Sequence, residues 1–202
     1  MKSVKLYSTS PDQRILDQIS EVLASGGVII YPTDTVYAFG CDFTKTKAVE
    51  RICRLKGLDP NKALLSFMCR DLSHLSQYIR VSNTLFHVFQ DNVPGPFTFV
   101  FPTNNRMPRL FKHRKTVGIR IPSNDITQAI LGNYENPLIT ASLGINHKIT
   151  ENEMDPSLIL ETYGSLVDLI VEGEEGSSEV STVVDCTGER PEIIREGKGI
   201  LR

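Results

Sequence analysis

The 202-residue chain contains no tryptophan, and its four cysteines, Cys41, Cys53, Cys69 and Cys186, form no CxxC pair. That excludes a zinc ribbon and a thioredoxin-type redox site, and reduced core thiols are the expected state. The four histidines, His74, His87, His113 and His147, have no HExxH-type spacing, so no protein-only metal site is expected. There is no GxxxxGK[ST] loop, no GxGxxG and no GxSxG elbow, which removes the common nucleotide cradles and the hydrolase nucleophile turn. No apolar run approaches the length of a spanning helix, and the start MKSVKLYSTSPDQ lacks a secretory apolar core. A cytoplasmic location with no membrane partner is the expectation.

What is present suits a single domain over residues 1–202, since 40% hydrophobic content at this length can bury a full core. The net charge of −2 conceals a division. Residues 1–120 hold 17 Lys and Arg against 9 acids, whereas residues 121–202 hold 5 against 15. Arg106, Arg109, Lys112, Arg114, Lys115 and Arg120 lie in a stretch without acids, while residues 151–180 carry nine acids and no base. Two readings of the basic run stay open: a patch that neutralises phosphates of RNA, or an ordinary solvated face. On the first, RNA would touch only one side of the molecule.

Hydrophobic periodicity predicts alternating strands and helices. Residues 3–8 read as a strand, and residues 12–25 place Ile15, Leu16, Ile19, Val22 and Leu23 on one helical stripe. Strand VIIY follows. Thr44 is the expected cap of a helix through about Leu55, and Asp71 of another carrying Leu72, Leu75 and Ile79. Further helices are expected near 83–91, 125–132 and 156–163, and strands at LLSFM, FTFVF, TVGIRI, PLIT, VDLIV, STVVD and EIIRE. The stretch EGEEGSSE reads as a mobile loop. The sum is an α/β fold: a twisted, open, mixed sheet with flanking helices.

Polar groups cluster at strand ends. In GVIIYPTDTVYAFG, an apolar strand delivers Thr33, Asp34 and Thr35 to an edge and a glycine closes the segment; a ligand site and an ordinary turn both fit. Lys56 followed by Gly57 suits either a phosphate contact or a helix C-cap. Thr140 and Ser142 end one strand, Ser181 and Thr182 begin another, and Arg195 precedes two glycines. Short hydroxyl donors with one Lys and one Arg suit a polyphosphate. Neither Ser142 nor Ser181 has an assignable base, so both read as hydrogen-bond donors rather than nucleophiles.

In this order the segments YPTDTVYAFGCD, PGPFTFVF, TVGIRIPSN, STVVD and REGKG resemble the YrdC/YciO family, whose best-known members are threonylcarbamoyl-AMP synthases of tRNA modification. The likeness covers nearly the whole chain. It implies a YrdC-like open sheet with a large concave, basic surface and a pocket for ATP or AMP, with Mg²⁺ carried on the nucleotide. For those synthases L-threonine and bicarbonate form a carbamate that attacks the ATP α-phosphate. Carried over, Thr33 and Thr35 would line the amino-acid side, Lys56 and Ser142 would act at the reacting groups, and Ser181 and Arg195 would meet nucleotide. The family's KxR and SxN positions are here Lys56, Leu58, Ser142 and Gly144, so a guanidinium and an amide are missing. Ala38 and Ala141 replace a family glycine and proline. These departures look like the YciO branch, which has been linked to RNA binding, so double-stranded RNA or tRNA is the expected partner. Two functions are therefore expected: a nucleotide- and RNA-binding protein that forms an acyl or carbamoyl adenylate, or an active L-threonylcarbamoyladenylate synthase.

Overall fold

The computed structural model describes residues 3–60, 62–104, 107–108, 111, 114–144 and 150–202. The strands are β1 (Ser3–Lys5), β2 (Ile29–Tyr31), β3 (Ala38–Asp42), β4 (Ser66–Met68), β5 (Phe97–Pro102), β6 (Thr116–Arg120), β7 (Leu138–Ser142), β8 (Leu169–Glu172), β9 (Thr182–Asp185) and β10 (Glu192–Arg195). The helices are α1 (Gln13–Ala24), α2 (Thr46–Leu55), α3 (Leu72–Ser76), α4 (Asn83–Asn92), α5 (Asp125–Asn133) and α6 (Pro156–Tyr163). All strands join one mixed sheet in the order β1-β8-β2-β3-β7-β4-β6-β5-β9-β10. Helix starts follow local chemistry: Asp12, Asp71, Asn124 and Asp155 each accept a backbone N–H of the first turn, satisfying donors the helix itself leaves open.

The two halves of the sheet are covered differently. Around β8, β2 and β3 both faces are buried: Ile29, Tyr31 and Leu169 pack with Leu16, Ile19, Ile126 and Ile130 of α1 and α5, whereas Ile30, Phe39 and Ile170 join the core formed with α2. Around β4, β6, β5 and β9 only one face is apolar. There the cross-strand row Ile139, Phe67, Ile119, Phe99 and Val184 enters that second core. The opposite row is Thr140, Ser66, Gly118, Val100 and Asp185, and no helix among the described residues covers it. Because side chains alternate between faces, one strand builds both the core and an open floor.

Three local expectations are corrected. Gly40 lies inside β3 rather than closing the segment, because the Tyr31 ring of the paired strand occupies its side-chain space: a Cβ would come within 2.5 Å of it. Thr44 is not the cap of α2; its hydroxyl donates to the buried Asp42 carboxylate at 2.7 Å, and the helix begins at Thr46 without a side-chain cap. The acidic loop after β8 is tied down, with Gly176 N–H donating to Met154 O (3.0 Å) and Ser177 N–H to Thr35 O (2.9 Å).

Candidate functional site

The uncovered floor opens into a cavity of about 720 Å³. Ser66, Thr98, Thr116, Thr140, Ser142 and Ser181 bring six hydroxyls to its wall. Gly118 keeps the floor low: a Cβ there would lie 2.3 Å from Ser66 Oγ and 3.0 Å from Thr98 Cγ2.

Arg120 is the centre of its inner end. The residue is 7% exposed, yet it lines the cavity. Its Nη2 donates to Asp34 Oδ1 at 2.5 Å and to Thr35 Oγ1 at 3.1 Å, while its Nε–H has no partner among the described residues. Asp34 Oδ2 in turn accepts Ser123 N–H at 3.0 Å, and Asp34 O accepts Lys198 Nζ at 2.9 Å. The Pro-Thr-Asp-Thr turn thus fixes a buried guanidinium at the inner end of the cavity.

Lys56 closes the next side. It ends α2, and Gly57 (φ +64°) and Leu58 return their N–H groups to Arg54 O and Cys53 O, a Schellman stop that turns the chain along the cavity. Lys56 Nζ donates to the carbonyls of Ser142 and, at 2.6 Å, Gly144. Burial holds this ammonium below its usual pKa, only partly offset by Glu153. C-cap and cavity lysine are therefore one residue doing both. On the far side Ser181 Oγ meets Thr98 Oγ1 at 2.8 Å, and Arg195 Nη2 donates to Ser181 O (2.7 Å) and Oγ (3.1 Å). Burial and then the nearby Arg120 charge lower the Arg195 pKa, so two guanidiniums converge on one space.

Of the residues singled out from sequence, Thr35, Lys56, Ser142, Ser181 and Arg195 all line this cavity. Thr33 does not; its hydroxyl donates to Val36 O at 2.8 Å and accepts Thr35 N–H at 3.1 Å, so it shapes the turn that presents Thr35. Of the basic run, the structure describes Arg114, Lys115 and Arg120. Arg120 belongs to the cavity, and Arg114 donates to the carbonyls of Ala63 and Pro60 and sits over the Phe111 ring. Arg106, Arg109 and Lys112 lie outside the described residues, leaving Lys115. Sequence reasoning missed Ser66, Thr98 and Arg120 as cavity groups. The alternation F-T-F-V-F in β5 and the polar ends of T-V-G-I-R in β6 were the available signals.

The family model for Sua5, YciO and YrdC, described as telomere recombination, matches residues 21–197. The chain belongs to this Sua5/YciO/YrdC family. It is 40% identical to YciO of Escherichia coli (strain K12) over 200 residues, covering 98% of this chain and 96% of the relative. The crystal structure of E. coli YciO superposes with a TM-score of 0.91, covering 99% and 98% of the two chains at 37% identity. The threonylcarbamoyl-AMP synthase of Vibrio vulnificus (strain YJ016) is 28% identical over 188 residues, 90% of this chain and 98% of that one. The fold extends to P. abyssi Sua5 complexed with L-threonine, at a TM-score of 0.86 and 22% identity over 98% of this chain and 58% of that one. Leu58 and Gly144 both line the cavity beside Lys56 and Ser142.

Proposed function

We propose that the cavity binds ATP together with a small carboxylate and joins them as an acyl or carbamoyl adenylate. The observation that carries this reading is that one cavity collects Arg120, Lys56 and Arg195 beside a row of hydroxyls. Phosphate and carboxylate oxygens are the acceptors that such a convergence of cations favours. The hydroxyls of Thr98, Ser142 and Ser181 would complete a polyphosphate's coordination.

In the reaction a carboxylate oxygen bonds to the α-phosphorus while the bond from that phosphorus to the bridging oxygen breaks, and pyrophosphate leaves with its electron pair. The protein's part is positioning and charge neutralisation. Two of the three Lys56 donors rest on carbonyls, and the third would turn to an α- or β-phosphate oxygen. Arg120 and Arg195 would hold the anionic ends in line. Among the described residues no three His, Cys, Asp or Glu side chains come together as a metal cage, so Mg²⁺ would arrive on the nucleotide.

L-threonine with bicarbonate is the first substrate to try, since one relative is named threonylcarbamoyl-AMP synthase and another was solved with L-threonine. The missing guanidinium and amide at Leu58 and Gly144 would each slow that reaction by roughly two to three decades, the usual cost of one lost transition-state donor. The test is purified protein with α-labelled ATP, Mg²⁺, bicarbonate and a panel of amino acids, following adenylate and pyrophosphate. Acid-dependent pyrophosphate release is expected, slow with threonine. Absence of ATP binding would overturn the reading.

A further inference from the structure

The cavity has two apolar walls, not one. Leu58 and Leu64, on the segment between α2 and β4, form the first beside Lys56; Val180, Val183 and Ile194, on the β9–β10 side, form the second. In the sheet β4 and β9 are separated by β6 and β5, so the segments that carry the two walls stand on opposite sides of the floor. The Arg120 and Gly118 floor lies between them.

These walls face solvent to an unusual degree. Leu64 is 89% exposed, Ile194 59% and Leu58 40%, three large apolar side chains at one mouth. Exposed apolar groups gathered around a charged cavity mark a binding surface. The base of a nucleotide is one flat apolar body and covers one wall. The other wall then calls for a second apolar group on the far side of the phosphates.

We propose that this second group is the aliphatic side chain of the acid being adenylated, so that the site takes an aliphatic amino acid or its N-carboxy form in preference to a hydroxylated one. The inference rests on the adenylate reading above. A hydroxyl laid against Leu58 and Leu64 would lose its hydrogen bonds to water and gain none, whereas an aliphatic side chain would gain contact with both leucines.

The probes are stable acyl sulfamoyl adenosines carrying an L-leucyl or an L-threonyl group, with AMP alone as reference, measured by calorimetry on the intact protein. The leucyl probe is expected to bind about tenfold more tightly than the threonyl probe, the scale of discrimination one or two methylenes give in an apolar pocket. Leu58→Ser combined with Leu64→Ser should abolish that preference, with circular dichroism checking that the fold is kept; both positions are exposed. If AMP binds and the two probes are equal, or the threonyl probe is tighter, this inference falls and the adenylate reading stands. If AMP fails to bind, both fall. A leucyl preference that survives in the double variant overturns the assignment to these leucines.

Discussion

The two halves of the sheet use the same strand geometry to opposite ends. Around β2 both faces are packed, and the strand reads VIIY, apolar at every position. Around β5 and β6 only one face is packed, and the sequences alternate: Phe97, Phe99 and Phe101 go to the core while Thr98 and Val100 face the cavity. The face that carries α1 and α5 on one half continues, bare, as the cavity floor on the other. Met68 packs with the α1–α5 core and Ser66, two residues earlier on the same face of β4, lines the cavity. The missing helix leaves the space a ligand would fill.

The sharpest way to break this contrast is at the junction of the halves. Asp34→Ala would leave the Arg120 charge buried without its carboxylate, with an expected loss of about 3–5 kcal/mol in denaturant unfolding together with loss of nucleotide binding. Ile30→Ala, in the packed half, should cost about 2–5 kcal/mol while ATP affinity of the folded fraction is retained. Equal damage to ATP binding would mean the halves are not separable. Gly118→Val should cost about 1–3 kcal/mol by crowding Ser66 and Thr98, and its larger effect should be to exclude ligand from the floor.

A smaller effect concerns Lys56. Its folded-state pKa is lowered by burial, so its ammonium is lost at a lower pH than an exposed lysine's. If that charge meets phosphate, nucleotide affinity should fall as pH rises through the alkaline range below the usual lysine value, and Lys56→Arg should flatten the decline. A decline unchanged in that variant would assign the titration elsewhere. Stability runs the other way: a lowered lysine pKa penalises the folded state while the group is charged in it, so Lys56 makes stability rise with pH over that same window.

Much of this was legible in the residues, for a physical reason. Long amphipathic stretches with a capping Asp, such as that led by Asp12, state their own boundaries, and five of the six residues selected for small-ligand binding line one cavity. What could not be read were tertiary decisions. Gly40 serves Tyr31 from a paired strand, and nothing local to β3 says so. Arg120 sits among basic residues in sequence, and only the fold, by carrying Asp34 against it, turns a surface cation into a buried one. Arg114 likewise spends its guanidinium on carbonyls of the 60–63 segment. Linear charge runs do not report which side chain points inward.

The central claim is that Arg120 anchors an anionic nucleotide in the uncovered half. Calorimetric titration of ATP with Mg²⁺ into the wild-type chain and into the paired variant Asp34→Asn with Arg120→Gln tests it most directly, because the pair is neutralised together and no buried charge is stranded. Wild-type binding with a loss of about tenfold or more in the variant, with unchanged circular dichroism, is the predicted result, a bidentate or charge-assisted contact being worth at least that much. Equal ATP affinity in the two proteins would contradict the account.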